Sequence, residues 1–248
     1  MKWLLQNVRH RAAFALKNPG YTSQAILREL LQADEKFLGH VTGVSPKQIR
    51  NYLSEPISTP AFATLLRNAE SKFRSSSVES ADLFAKKILV QYAAVRALNP
   101  QCIVETGVAS GVSSSYLLLA LHNNGGGGRL HSIGLDDPAF LPHGDKPGWL
   151  VPGWLRERWQ LHIGDARQIL PSLLSRLGTV DVFIHDSLHT YEHMMWELET
   201  AYPLVRRGGL LFADDALWNN AFQDFARKFS EPDARIIRGV GFLHKTLE

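Results

Sequence analysis

An acid and a histidine stand three residues apart in FIHDSLHTYEHMMWE, residues 183–197. The apolar run before Asp186 has the composition of a buried strand, and a helix-like run follows His189. A carboxylate can hold a cation, and a neutral imidazole can accept a proton near neutral pH. The pair is therefore a candidate for chemistry at the exit of a strand.

Acidic residues follow the other predicted strands as well. They are Glu105 after the first, Asp136 and Asp137 after the second, Asp165 after the third, and Asp214 and Asp215 after the fifth. Ligands of parallel α/β sheets bind outside the carboxyl ends of the strands, where these acids would gather. Clustered carboxylates repel one another and need a cation or hydrogen-bond donors. We therefore expect a polar site at this edge, although Asp214 and Asp215 could also cap the helix that follows them.

Strands alternate with helices from about residue 100 onward, which predicts an α/β fold with a doubly wound, mostly parallel sheet. Five strands alternate with helices, and the segment 234–248 predicts two closing strands, giving seven. Residues 1–98 predict only helices, so we expect an N-terminal helical extension that covers the site or contacts a second subunit. We place the domain boundary between residues 98 and 99.

Composition excludes several functions. The 248 residues carry 27 Lys and Arg against 24 Asp and Glu, a net charge of +3 that is too small to indicate nucleic-acid binding. The single cysteine, Cys102, rules out an internal disulfide framework and favours a reducing, cytoplasmic location. No apolar run has the length of a membrane span. Residues 1–21 predict a basic amphipathic helix that packs on the body, on a second subunit to form a homo-oligomer, or on a membrane surface.

The segment ETGVASG, residues 105–111, indicates the kind of ligand. Gly107 and Gly111 lack side chains, so we expect the backbone to approach a ligand closely there. The spacing fits neither the nicotinamide fingerprint nor the phosphate loop. Glu105 would repel a pyrophosphate but suits an amino group or a positively charged sulfur. The segment resembles motif I of class I S-adenosylmethionine-dependent methyltransferases, and the resemblance covers residues 101 to about 246, which implies a Rossmann-like sheet.

The resemblance also implies a cofactor site for S-adenosylmethionine. Its members would be Glu105, Thr106, Gly107, Gly111, Ser113, Asp136, Asp165, Ala166 and Asp186. Glu105 and the loop with Gly107 and Gly111 would hold the methionine part, and Asp165 with Ala166 would contact the adenine. The family ends its second strand with an acid that binds the ribose, whereas SIGLDD has Gly134 there, so Asp136 or water would take that role.

The strand exits at Asp186 and at Asp214-Asp215 resemble those of metal-dependent O-methyltransferases, both the catechol type and the antibiotic-sugar and cephalosporin-hydroxylase-like group. The resemblance implies that Asp186, Asp214 and Asp215 bind Mg²⁺ or another divalent cation. It also implies that His189 is the general base acting on a hydroxyl of a small molecule or sugar-containing metabolite. Two alternatives remain open: a non-catalytic ligand-binding protein on this fold, and a metal-dependent hydroxylase or hydrolase.

Two further features bear on the acceptor. The long segment 136–159 is rich in Pro, Gly and Trp, and we expect it to order over the ligands. Its Trp149 and Trp154 either contact the acceptor or pack the loop against the body. Near His189, we expect His185 and His193 to be packing residues.

The helix after His189 carries three acids, and we expect all of them to be solvated or paired residues of this helix: Glu192, Glu197 and Glu199. Glu192 is the acid best placed to orient His189.

Overall fold

The computed structural model describes residues 33–74, 86–141 and 144–246. The basic helix predicted at residues 1–21 lies outside the described residues. The N-terminal region contains four described helices: α1 (Ala33–Thr42), α2 (Pro46–Ser58), α3 (Pro60–Arg74) and α4 (Lys86–Leu98). Ser45 caps α2, because its Oγ accepts a hydrogen bond of 3.2 Å from the backbone N–H of Gln48.

Strands and helices then alternate along the chain. They are β1 (Cys102–Thr106), α5 (Val112–Asn124), β2 (Arg129–Gly134), β3 (Trp159–Ile163), α6 (Ala166–Leu177), β4 (Val180–His185), α7 (Tyr191–Ala201), β5 (Val205–Ala213), α8 (Ala221–Lys228), β6 (Arg235–Ile237) and β7 (Val240–His244). Among the described residues between β2 and β3, two short 3₁₀ turns are present, Pro138–Phe140 and Gly153–Arg158.

The seven strands form one sheet in the order β3-β2-β1-β4-β5-β7-β6. Strands β1 to β5 pair in parallel, and β7 runs antiparallel to β5 and to β6. The predicted doubly wound, mostly parallel seven-stranded sheet with N-terminal helices is confirmed. The order reverses between β1 and β4, which is the position where open α/β sheets bind ligands.

Both faces of the sheet are covered by apolar side chains. Val182 and Ile184 of β4 belong to the core shared with α1 to α5, whereas Phe183 of the same strand belongs to the core beneath α6, α7 and α8. The N-terminal helices and the sheet therefore share a continuous core. The domain boundary between residues 98 and 99 remains a prediction. Within the described residues, none of the helices has the length and apolarity needed to cross a membrane.

The register of the three central strands aligns their carboxyl ends. Thr106 of β1 lies opposite His185 of β4, and His185 lies opposite Ala213 of β5. The residues that follow directly are Gly107, Asp186 and Asp214. The sheet thus brings together the two acidic exits and the loop from Gly107 to Gly111, called the glycine loop below.

Candidate active site

Gly107 joins the exit of β1 to the exit of β4. Its φ is +88°, and a Cβ placed there would lie 1.8 Å from the carbonyl oxygen of Asp186. The backbone N–H of Asp186 donates to the carbonyl oxygen of Thr106 at 3.1 Å. We expected this glycine to make room for a ligand. The structure gives a second reason for the glycine, because a side chain here would collide with the backbone of Asp186; the close approach of a ligand stays a prediction.

Gly111 holds the other side of the same loop. It precedes α5 with a φ of +83°, and a Cβ there would lie 2.8 Å from the Cα of Gly148. The N–H of Gly148 donates to the carbonyl of Ala109 at 2.8 Å, and the N–H of Leu150 to the carbonyl of Ser110 at 3.1 Å. The second half of the long 136–159 segment is therefore hydrogen-bonded to the glycine loop.

The two tryptophans of that segment have different surroundings. Trp149 is half-buried against Phe73, with ring centroids 5.7 Å apart, and the Lys72 ammonium lies 4.3 Å from its ring centroid. Trp154 is exposed and packs edge-on against His122 in the last turn of α5. That turn points away from the carboxyl edge of the strands, so Trp154 does not lie beside the acids.

Glu105 is fully buried in the structure. Its carboxylate accepts hydrogen bonds from the hydroxyls of Ser113, Ser114 and Ser132, at 2.5, 2.6 and 2.8 Å. Burial raises the pKa of Glu105 above its usual range, although the three hydroxyls oppose the shift. A ligand that contacts this carboxylate must approach a group already bonded to three serines. Ser113, another predicted cofactor contact, is one of them.

The acids and the histidine of the opening pattern meet at the exits of β4 and β5. Ligand atoms of Asp186, His189 and Asp214 all lie within 4.8 Å of one another. His189 Nε2 lies 3.7 Å from Asp186 Oδ1 and 4.0 Å from Asp215 Oδ2. Asp215 therefore borders the group, with a φ of +50° that is unusual for a residue other than glycine. The structure brings together all four residues predicted for the metal and the base.

The crowded cleft shifts the pKa values of these groups. Desolvation raises the pKa of Asp186, and the neighbouring Asp214 carboxylate raises it further. Desolvation followed by the proximity of His185 lowers the pKa of His189 to about 4, so its imidazole is neutral at neutral pH. Burial alone would raise the pKa of Asp214, but the positive charge of Lys87 outweighs it and lowers this pKa.

Lys87 is the cation that the sequence analysis missed. It lies in the first turn of α4, and its Nζ is 2.5 Å from Asp214 Oδ2 and 3.8 Å from Asp215 Oδ1. The other oxygen of Asp214, Oδ1, is buried, and none of the described residues donates a hydrogen bond to it. No local pattern marks Lys87, because it lies 127 positions before Asp214 in the chain.

Glu197 is a second missed residue. Its carboxylate is fully buried and accepts hydrogen bonds from Thr106 Oγ1 at 2.6 Å and from Ser187 Oγ at 2.8 Å. It also lies 2.6 Å from His185 Nδ1 and 3.0 Å from His193 Nε2. The exit of β4 is thus tied to α7 on both sides of Asp186.

A sequence signal for Glu197 did exist. Met194, Leu198 and Ala201 are buried in α7, and position 197 falls on the same helical face. Glu192 is exposed, as expected for a solvated helix residue. The hydroxyl of Thr106 is engaged with Glu197, although Thr106 was predicted to contact the cofactor.

The predicted adenine and ribose residues lie at the exits of β2 and β3. Asp165 caps α6 by accepting the N–H of Arg167 at 2.8 Å, and Ala166 begins that helix. A Cβ on Gly134 would lie 2.9 Å from the Cβ of Val108, so a side chain does not fit there without movement of Val108. This contact gives a physical reason for the glycine at the place of the family's ribose acid.

Asp136 is partly exposed, and its carboxylate pairs with the Lys146 ammonium at 2.8 Å.

Comparisons with known proteins agree with this fold. Residues 104–216 match the family model described as a methyltransferase domain, and the matched part runs from β1 to the residue that follows Asp215. The resemblance to class I S-adenosylmethionine-dependent methyltransferases is confirmed. A comparison with the curated proteins found no match.

Solved structures share the fold. The S-adenosylhomocysteine-bound methyltransferase PaMTH1 of Podospora anserina aligns with a TM-score of 0.52 and 15% identity, over 73% of this chain and 87% of its own. The O-methyltransferase TomG of Streptomyces achromogenes, involved in tomaymycin synthesis and solved with S-adenosylmethionine, aligns with a TM-score of 0.51 and 18% identity. That alignment covers 79% of this chain and 98% of TomG. At these identities the likeness shows a common fold.

Proposed function

We propose that this chain is an S-adenosylmethionine-dependent O-methyltransferase that methylates a hydroxyl of a small molecule or sugar-containing metabolite with the help of a divalent cation such as Mg²⁺. The observation that carries the proposal is the meeting of Asp186, Asp214 and His189 beside the glycine loop of a methyltransferase domain. The methyltransferase fold supports the cofactor, and the acids support the cation.

The residues present fit a hard divalent cation. Asp186 and Asp214 offer carboxylate oxygens, the donors that Mg²⁺ prefers, and Asp215 is near enough to add a third. Asp214 Oδ1 is buried without a donor from the described residues, as a ligand oxygen would be. A bound cation would lower the pKa of a hydroxyl that it coordinates.

His189 then serves as the general base. Its imidazole is neutral at neutral pH, and its Nε2 faces the carboxylates that would orient the acceptor. S-adenosylmethionine, when bound, supplies a methyl group attached to a positively charged sulfur. An acceptor oxygen that takes this methyl group would displace the sulfur, and Nε2 of His189 would accept the hydroxyl proton. The glycine loop fixes the exit of β4 so that this geometry is kept.

The proposal is tested by methyl uptake from labelled S-adenosylmethionine across a panel of hydroxylated metabolites, with and without EDTA. With an acceptor in hand, His189→Ala should lower the rate by roughly 10²–10⁴-fold, as expected for a general base. Calorimetry should show that this variant still binds cofactor and metal. His40→Ala, with a side chain 70% exposed, is the control and should keep the parent rate.

Each part of the proposal can fail separately. Activity that survives EDTA contradicts the role of the cation. A parent-like rate in His189→Ala contradicts the base. Loss of metal binding in that variant shows that His189 is a ligand and not the base. A protein that does not bind S-adenosylmethionine is not a methyltransferase at this site.

A further inference from the structure

The cluster of Asp186, Asp214 and Asp215 already contains a cationic side chain, that of Lys87. Lys87 Nζ lies 2.5 Å from Asp214 Oδ2, a distance at which the ammonium donates a charge-assisted hydrogen bond. The same ammonium is 3.8 Å from Asp215 Oδ1. A lysine from the N-terminal helices thus bonds one of the carboxylates that we assign to the metal.

Lys87 and a divalent cation would draw on the same carboxylate, the ammonium at Asp214 Oδ2 and the metal ion at the buried Oδ1. A divalent ion coordinated at about 2 Å would place two positive charges beside the ammonium. Like charges at such separations repel strongly in a partly buried site, where water screens them poorly. The ammonium at Oδ2 therefore opposes the binding of a divalent cation at Oδ1, and its withdrawal relieves the repulsion.

The lysine is the group able to move. Its ammonium stands on a flexible four-carbon stem, and the Lys87 side chain is 33% exposed, so a path to water exists. Asp214 is 8% exposed in its side chain and is anchored through its backbone N–H, which donates to the carbonyl of His185 at 2.8 Å. The acid therefore stays in place while the ammonium can leave.

We propose that Lys87 is a tethered cation that competes with the divalent ion for Asp214, so that metal enters the site only as the Lys87 side chain withdraws. This inference rests on the proposed function, because it takes the cluster of Asp186, Asp214 and Asp215 to be a metal site. Lys87 compensates the acids in the metal-free protein and weakens metal binding by the same contact.

The competition is tested by titrating chelator-treated protein with MnCl₂ in a calorimeter. Lys87→Met should bind Mn²⁺ roughly tenfold more tightly than the parent, which corresponds to losing one charge-assisted hydrogen bond from the competitor. The same variant without metal should melt at a lower temperature, because Asp214 loses its ammonium partner. A general loss of structure would lower both the melting temperature and the Mn²⁺ affinity. A lower melting temperature together with tighter Mn²⁺ binding therefore indicates competition.

Lys228→Met is the matched control. It removes the same charge from an ion pair of similar length, 2.7 Å to Glu199, at the carboxyl-terminal ends of α8 and α7. Its Mn²⁺ affinity should equal that of the parent. Equal or weaker Mn²⁺ binding in Lys87→Met would overturn the competition.

A second measurement uses the parent protein alone. Saturating MgCl₂ should increase labelling of Lys87 by an amine-reactive ester, read by mass spectrometry, while labelling of Lys228 stays constant. Labelling of Lys87 that Mg²⁺ leaves unchanged would contradict the displacement. If neither protein binds Mn²⁺, the competition and the metal site are both wrong, whereas S-adenosylmethionine binding in the same calorimeter still tests the methyltransferase assignment.

Discussion

His185 Nδ1 and Glu197 Oε2 lie 2.6 Å apart, and both side chains have no solvent exposure. The pair joins the last residue of β4 to the middle of α7. Since Glu197 also accepts from Ser187, it holds the residues on either side of Asp186. A buried carboxylate is costly unless its partners satisfy it, and Glu197 has four. We conclude that this pair sets the position of the candidate metal ligand.

Replacing Glu197 should therefore destabilise the fold. Glu197→Gln keeps the size of the side chain but removes its charge and leaves buried donors poorly paired. We expect the free energy of unfolding to fall by about 1–3 kcal/mol, measured by urea denaturation. Glu199→Gln, two residues along α7 in an exposed ion pair with Lys228, should change it by no more than about 0.5 kcal/mol. Equal effects of the two variants would show that the buried network does not contribute.

The same carboxylate should make stability depend on pH. Burial alone would raise the pKa of Glu197, but hydrogen bonds from His185 and His193 lower it from 4.5 to about 2. A folded-state pKa below the unfolded value gives stability that is present above pH 4.5 and lost as the pH falls towards 2. The loss should reach roughly 3 kcal/mol. Urea denaturation between pH 5 and pH 3 should show a steeper decline of the free energy of unfolding in the parent than in Glu197→Gln. Parallel declines would show that Glu197 does not cause the pH dependence.

Gly107 offers a test of how the strand exits are joined. Gly107→Ala places a Cβ against the Asp186 carbonyl. We expect the free energy of unfolding to fall by about 3 kcal/mol or more, the order seen for overpacking combined with a disfavoured backbone conformation. Gly125→Ala has a similar φ of +72° but nothing within 4 Å of the new Cβ, and should lose only about 1 kcal/mol. Both variants carry the strain of a positive φ, and only Gly107→Ala adds the clash with Asp186. The difference between their free energies of unfolding, measured with heat or urea, therefore gives the contribution of the clash. If the two variants lose the same amount, the contact with Asp186 is not what requires a glycine.

Sequence patterns predicted the sheet because each strand and its helix are adjacent in the chain. The acids of the site were predictable for the same reason, since Asp186 and Asp214 follow their strands directly. Lys87 was not predictable, because only the packing of α4 against the sheet domain brings it to Asp214. Gly107 was identified, but its contact with the β4 exit was not, since that contact depends on the register between two strands.

Asp136 provides the test of cofactor recognition. Because Val108 leaves no space for a side chain at position 134, the acid nearest to the end of β2 is Asp136, whose carboxylate is partly exposed beside Lys146. If it accepts hydrogen bonds from the ribose, Asp136→Asn should weaken S-adenosylmethionine binding by roughly tenfold in calorimetry, the loss of one charged hydrogen bond. Asp137→Asn is the control, since its side chain caps the turn Pro138–Phe140 and asparagine can do the same. Unchanged affinity in Asp136→Asn would assign the ribose to water or to other residues.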